Sequence, residues 1–433
     1  MKNIHTYLMI GAIVAAFIVA WLAPGLAVHT HIGGEVFLRC LMMVVVPLVM
    51  TSVMSGILGL GDVRKLGRPG GTAVSFYMFT TVIAVITGML MFNLVDPGKG
   101  TSIQPPTVES TDQATSHQME VVRQTQEEEK GLKDIFENLI LMLFTGNLLK
   151  SMVEVELLPL IIFSIIFAGL LTTLGSRVKA VSDIIVATND ALLNFVMILM
   201  KFAPIGIFCL VAANFGEAFL NGVFLQTISN LGSYMLVVLG GLFIHFLITL
   251  PLILWIRTRR NPYHFMAQMF DSILTLFSTA SSSASLPVTM ECAEKKAGIS
   301  RKSIDFVLPL GATINMDGTA LYEAAAALFI ANIYAMSDLG IEAGFTLTFG
   351  KQMIIAITAT LAAIGAAGIP EAGLVTMSIV LGAVGLPIEY MALILPVDWF
   401  LDRFRTMING FGDAVGAAVV DEVFIAESTS KKP

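Results

Sequence analysis

Residues 398–413, DWFLDRFRTMINGFGD, place three aspartates and two arginines in otherwise apolar surroundings. At 100° per residue, Asp398, Asp402, Arg405, Asn409 and Asp413 fall within an arc of about 80°. One helical stripe therefore carries all five. Thr406 lies at its edge, and Arg403 points to one side. Two guanidinium groups cannot neutralise three carboxylates, and Asp317 of a second polar cluster, NMDGT at 315–319, adds another negative charge. The surplus asks for cations. The ligands on offer are carboxylates, amides, hydroxyls and backbone carbonyls, a set suited to a hard cation. Zinc or copper is not indicated: His245 is alone in its helix, and Cys40, Cys209 and Cys292 are scattered. A calcium-binding EF-hand fails at both ends of its loop, with Thr313 at the first position and Ala324 at the twelfth. An alkali cation is the better reading.

The same stripe has the groups for an organic substrate. Arg405 offers a planar, permanently charged fork suited to a carboxylate. Asp402, three residues earlier, can meet an ammonium. Two small-residue segments, STASSSASLP ending at Pro287 and AAIGAAGIPEAG around Pro370, supply backbone N–H groups for a second carboxylate. An acidic amino acid carries these three groups. The bland alternative is that Asp402 and Arg405 pair with each other and bind nothing.

The elements that must position these residues are membrane helices. The chain has 433 residues, 56% hydrophobic and 13% charged, against roughly 45–50% apolar and about 25% charged for an average soluble domain. Spans are expected at 7–28, 36–60, 72–95, 134–175 (long and broken), 182–214, 227–256, 302–334 and 388–425. Two runs, 7–28 and 233–256, are each long enough for a ~30 Å hydrocarbon core. A signal peptide is a poor account of the first, which has no small-x-small cleavage site before Pro24. Net charge is −7, which speaks against nucleic acid as a partner. With the N-terminus inside, Lys2, Arg64, Lys65, Arg68, Arg177, Lys179, Arg257, Arg259, Arg260, Lys295, Lys296, Arg301, Lys302, Lys431 and Lys432 collect on the inner side. That bias, with both termini cytoplasmic, holds only if the interrupted segments 267–293 and 350–385 are re-entrant hairpins.

Those hairpins form an internal repeat. Pro287 precedes Asn315 by 28 residues, and Pro370 precedes Asp398 by 28. Each half is a broken hairpin followed by a polar spanning helix, and the halves enter from opposite sides. Inverted repeats with unwound backbone at mid-membrane depth mark secondary transporters, whose sites lie between the halves. Close packing by small residues is the plainer explanation, and the matched spacings weaken it. Residues 98–133, polar and Gln/Glu-rich, read as an external mobile loop. The fold class expected is an all-α polytopic membrane protein: eight transmembrane helices plus two re-entrant hairpins.

The motifs SSSASLP, GATINMDGTALYE, GAAGIPEAG and DWFLDRFRTMINGFGD, in this order and spacing, resemble those of the excitatory amino acid transporters and bacterial glutamate symporters, the dicarboxylate/amino acid:cation symporters. The resemblance covers essentially the whole chain except 98–133. It implies that Ser281, Ser282, Ser283, Ile369 and Gly373 close over the substrate, beside Thr406. Thr319 and Asn409 would meet its α-carboxylate, Asp402 its amine and Arg405 its side-chain carboxylate. One sodium ion would use Gly311, Asn315, Asn409 and Asp413. A second would use Tyr77, Thr80, Thr81, Asn315 and Asp317, and a third the backbone around Thr313, Ala363, Ile364 and Ala366. The resemblance also implies a homotrimer in which a scaffold (1–68 and 134–224) holds a transport domain (69–97 and 225–433) that slides like an elevator.

Departures refine this. Archaeal members have arginine where this chain has Ala280; here Arg403 occupies the last helix instead, as in the animal transporters. Glu323 stands where proton-independent members have Gln. Together Arg403 and Glu323 resemble the pattern of sodium and proton symport with potassium counter-transport; Glu323 is expected to be protonated in the loaded state, with Arg403 or a potassium ion compensating its charge on return. Glu371 and Ala363 depart from the usual Gln and Ser, which leaves ion stoichiometry open. Neutral amino acid and C4-dicarboxylate members are the alternatives, but the former lack the Arg405 fork and the latter the Asp402 equivalent. An intramembrane hydrolase is disfavoured, since no Lys or His lies near the serines in sequence. The chain has no N-x-Ser/Thr sequon and short termini, from which a multi-pass protein of a prokaryotic cytoplasmic membrane is expected.

Overall fold

The computed structural model describes residues 2–59, 67–100, 140–141, 143–153, 157–364 and 372–430. The described residues are helical, with no strand among them. In chain order the helices are α1 (Lys2–Leu22), α2 (Pro24–Val28), α3 (His31–Gly59), α4 (Gly67–Val95), α5 (Leu148–Val153), α6 (Leu157–Leu174), α7 (Lys179–Met200), α8 (Ala203–Leu220) and α9 (Phe224–Ile244). A π-helical turn, His245–Thr249, joins α9 to α10 (Leu250–Thr258). Then follow α11 (Pro262–Gln268), α12 (Phe270–Thr279), α13 (Ser282–Lys295), α14 (Arg301–Ile314), α15 (Asp317–Ala335), α16 (Asp338–Glu342), α17 (Phe349–Ile364), α18 (Ala372–Ala383) and α19 (Leu395–Ser430).

Among the described residues, four helical stretches are long and apolar enough to cross a membrane: Gly67–Val95, Lys179–Leu199, Ala203–Leu220 and Phe224–Thr258. Shorter apolar stretches lie in α1, α3, α6 and α17. Leu22, Leu94, Leu170, Leu236 and Phe243 are among many large apolar side chains left exposed, a surface suited to lipid. This is a multi-pass membrane protein. The external loop expected at 98–133 lies outside the described residues from 101 onward.

Besides the 7–28 span, which breaks at Ala23, two expected spans are in fact pairs of helices. The 182–214 span divides at Lys201–Phe202, where Pro204 in the first turn of α8 favours a new helix start. The 302–334 span divides at Asn315–Met316, whose backbone leaves helical geometry (φ/ψ −90/85° and −114/49°). Both expected hairpins are broken helix pairs. The first turns at Ala280, held in the left-handed region at φ 48°. Ser281 then caps α13, its hydroxyl accepting from the Ala284 N–H at 3.2 Å. The turn precedes Pro287, which sits inside α13. The second hairpin is α17 and α18, and its connection, 365–371, lies outside the described residues.

Packing divides the helices into two sets. In one, α1, α2 and α3 pack against α8, and α3 also against α6 and α7. In the other, α4, α9, α12–α15 and α17–α19 pack around α15 and α19. Nearly every residue of α15 is buried, and its small side chains allow close approach by its neighbours. A methyl group on Gly88 of α4 would stand 2.9 Å from the Leu321 carbonyl oxygen. One on Gly318 would stand 2.8 Å from the Arg405 oxygen and 3.0 Å from its Cα. These are backbone atoms that cannot rotate away, so Gly318→Ala is expected to cost about 1–3 kcal/mol. It should lower the thermal unfolding midpoint of purified protein. Gly169→Ala, with no atom within 4 Å of the added methyl, should leave it unchanged.

Candidate functional site

The stripe of five residues is borne out as one buried face of α19. Asp398, Asp402, Arg405, Asn409 and Asp413 are all buried, Arg405 to 1% exposure. Arg405 Nη2 lies 2.8 Å from Asp402 Oδ1 and 3.1 Å from Asp398 Oδ1. Its guanidinium carbon stands 3.8 Å from the centre of the Tyr322 ring. Arg405 Nε and Nη1 have no hydrogen-bond partner among the described residues. A methyl on Gly373 of α18 would lie 2.7 Å from Nη1, so the bare glycine leaves that edge open. The Asp402–Arg405 pair weighed from spacing is thus present, yet it engages one nitrogen of the fork and leaves two.

One turn beyond Arg405, Asn409 joins α19 to the broken helix. Its Oδ1 accepts from the Gly318 N–H at 2.7 Å, meeting one of the unpaired donors that begin α15. Its Nδ2 donates to Thr319 Oγ1 at 3.1 Å and to Met316 Sδ at 3.2 Å. Thr406 is buried, as are Ser281 and Ser282 at the first hairpin; Ser283 is exposed. A methyl on Gly410 would stand 2.5 Å from the Leu276 methyl carbons, and that closeness seats α12 against α19.

Two carboxylate-centred clusters lie deeper. Around Asp413, Asn315 Nδ2 donates to Oδ1 at 2.9 Å, while Asn315 Oδ1 has no partner among the described residues. Gly311 lets the carboxylate approach: a methyl there would stand 2.4 Å from Asp413 Oδ1 and 2.8 Å from the Tyr77 hydroxyl. The Tyr77 hydroxyl donates to the Val307 carbonyl at 2.9 Å, so its side chain stands with Gly311 and Asp413. Only its backbone carbonyl joins Thr80 and Thr81, accepting from their hydroxyls at 3.1 and 2.8 Å. Around Asp317, Oδ1 lies 3.1 Å from Thr80 Oγ1 and 2.7 Å from Thr81 Oγ1. Asp317 also opens α15, where the helix dipole favours a negative charge.

Of the third sodium set, Thr313 is exposed and its hydroxyl donates to the Leu310 carbonyl at 2.9 Å. Ala363 and Ile364 end the described part of α17, where a helix leaves carbonyls unpaired. Ala366 and Ile369, together with Pro370 and Glu371, lie outside the described residues.

Two further residues lie on different flanks of the site. Arg403 Nη1 donates to the carbonyls of Phe277 and Ser278 at 3.2 and 3.1 Å, at the end of α12. Glu323, fully buried on α15, instead accepts from the Thr376 hydroxyl of α18, and its Oε2 has no partner among the described residues. In this arrangement Glu323 and Arg403 have separate partners. Arg403 leaves α19 on the flank facing α12, whereas Glu323 faces the second hairpin.

One residue was missed. His245 is fully buried, and its Nε2 lies 3.1 Å from Asp317 Oδ2. An ionisable residue within a spanning run is a functional candidate by default, and that signal was available. Its partner, 72 residues away in sequence, was not. Among the described residues no group of three His, Cys, Asp or Glu side chains could hold a metal ion. The two aspartate clusters are built from carboxylate, hydroxyl, amide and carbonyl oxygens, which suit an alkali cation.

Asp398 and Asp402 thus pair with the buried Arg405, while Asp317 and Asp413 centre separate oxygen-lined clusters. A family-wide sequence profile, described as the sodium:dicarboxylate symporter family, matches residues 6–423. The chain belongs to that family. Among its relatives is an excitatory amino acid transporter of Caenorhabditis elegans, 39% identical over 97% of this chain and 87% of the relative. Excitatory amino acid transporter 3 of Mus musculus is 40% identical over 90% of this chain and 78% of the relative. Excitatory amino acid transporter 1 of Ambystoma tigrinum is 38% identical over 90% and 76%. Family and relatives are transporters, and the family's description implies sodium coupling for this member.

Proposed function

We propose that this symporter takes up glutamate or aspartate with sodium and protons, and counter-transports potassium. One observation carries the substrate: a buried Arg405 with two uncommitted nitrogens, next to Asp402 and one turn from the Asn409–Thr319 pair. A side-chain carboxylate takes the open edge of the fork, and the substrate ammonium takes Asp402. Thr319 and Asn409 bind the α-carboxylate, helped by the hairpin segments around Ser281–Ser283, Ile369 and Gly373. The clusters at Asp413 and Asp317 each bind a sodium ion, and the end of α17 with Thr313 binds a third. Glu323 carries the proton.

The two packing sets support an elevator reading: α1–α3 and α5–α8 as trimeric scaffold, α4 and α9–α19 as transport domain. Cytoplasmic termini rest on the distribution of Lys and Arg. The relatives named above are animal proteins and lend no support to a prokaryotic membrane, for which the missing sequon speaks.

The deciding experiment is uptake by purified protein in liposomes, with each gradient varied separately. Labelled aspartate or glutamate should accumulate under an inward sodium gradient, faster with potassium inside. Uptake of a neutral amino acid or a C4-dicarboxylate, with neither acidic amino acid transported, would overturn the substrate assignment.

Asp413→Asn tests the first cation cluster. An amide replaces a much stronger ligand for a bare cation, yet its oxygen can still accept from Asn315. The sodium midpoint for substrate binding should rise by at least roughly tenfold with little loss of stability. A wild-type midpoint would remove Asp413 from the cation site.

A further inference from the structure

His245 opens the π-helical turn, in which the Leu250 N–H reaches back five residues to the His245 carbonyl. The cause is in the sequence. Pro251 has no N–H to offer Leu247, four residues before it. The Tyr263 hydroxyl donates to the Leu247 carbonyl instead, at 3.2 Å. Such single turns insert a residue into the helical repeat and are frequent at functional sites. Here the turn carries a fully buried imidazole whose Nε2 lies 3.1 Å from Asp317 Oδ2. The two oxygens of Asp317 are thereby divided, with Oδ2 on the imidazole and Oδ1 facing Thr80 and Thr81. Gly412 of α19 keeps this corner open, since a methyl there would stand 3.6 Å from Oδ2 and 2.9 Å from Asn315 Nδ2.

We propose that His245 is the positioning residue of the sodium site at Asp317. Its Nε2–H holds Oδ2 and turns Oδ1 toward Thr80 and Thr81, so the carboxylate meets the ion through one oxygen, in register with the two hydroxyls. The Nδ1 atom has no hydrogen-bond partner among the described residues, which leaves Nε2 as the nitrogen that donates to the carboxylate. Outer-shell partners that orient a ligand commonly contribute 10–100-fold to metal affinity. The inference rests on the cation reading above, and extends it to a residue that need not touch the ion.

The test is sodium-dependent thermal stabilisation of purified protein without any amino acid, for wild type, His245→Leu and His245→Gln. Gln retains an N–H donor at about the reach of Nε2. The Leu variant should need about 10–100-fold more sodium and reach the wild-type plateau once saturated, with Gln restored most of the way. A wild-type sodium midpoint in the Leu variant overturns the role of His245 alone. So does an equal midpoint shift in Leu and Gln, which would make the ring a packing element. A wild-type protein that sodium does not stabilise overturns the cation site and this inference together; acidic amino acid uptake in liposomes would still stand on its own.

Discussion

Arg405→Cys is expected to lower affinity for aspartate and glutamate by roughly 10²–10³-fold while leaving small neutral amino acids able to bind. Removing one member of a buried, hydrogen-bonded charge pair costs about 2–5 kcal/mol, and each ~1.4 kcal/mol is tenfold in affinity. The geometry explains the direction. Arg405 is the one buried arginine among the described residues, and Arg403 is engaged on the carbonyls that end α12. Without Arg405, Asp398 and Asp402 lose the guanidinium that balances them and repel an incoming side-chain carboxylate. A small substrate lacking that group loses the repulsion and keeps Asp402 for its amine. Competition by aspartate and by serine in the same preparation separates this from misfolding, because a misfolded protein binds neither. Unchanged aspartate affinity would take Arg405 out of the site.

Glu323→Gln is expected to abolish net uptake driven by internal potassium while preserving sodium-dependent exchange of labelled for unlabelled substrate. Glu323 is fully buried, with one carboxyl oxygen on the Thr376 hydroxyl and the other without a partner among the described residues. A charged carboxylate in such surroundings is costly unless paired or solvated. A proton carried on Glu323 would remove that cost through the apolar part of the cycle. Gln reproduces the neutral shape and can still accept from Thr376, so the loaded domain moves as before. It cannot release a proton, so the empty domain lacks the negative charge that a returning potassium ion would balance. Because Thr376 lies on α18, the change also acts on the second hairpin, where the substrate reading places closure. If the contact were only structural, exchange and net uptake would fall together. Net uptake at the wild-type rate and with wild-type pH dependence would end the proton-carrier role.

Much of this was legible in the chain before any fold was known. The apolar runs and the 28-residue repeat of proline and polar motif determined helices in a membrane and two broken hairpins. The helical period determined that Asp398, Asp402, Arg405, Asn409 and Asp413 share a face, because residues three and four apart on one helix have no freedom to do otherwise. The charge surplus on that face pointed to cations. The same reasoning stops at the edge of a helix. Which face of α9 meets Asp317, where Arg403 goes once it leaves the stripe, and which hairpin reaches Glu323 depend on how separate helices cross.

Those crossings are set by where backbones can approach. Gly88, Gly311, Gly318 and Gly410 open the gaps, and each is an ordinary glycine until its opposite number is known. The π-helical turn shows the division most clearly. Pro251 signals from sequence that the helix is disturbed, but the tertiary structure alone decided that the disturbance widens the turn and seats His245 on Asp317. The Leu247 carbonyl that Pro251 leaves unpaired must find a donor. Only the folded chain brings the Tyr263 hydroxyl to it.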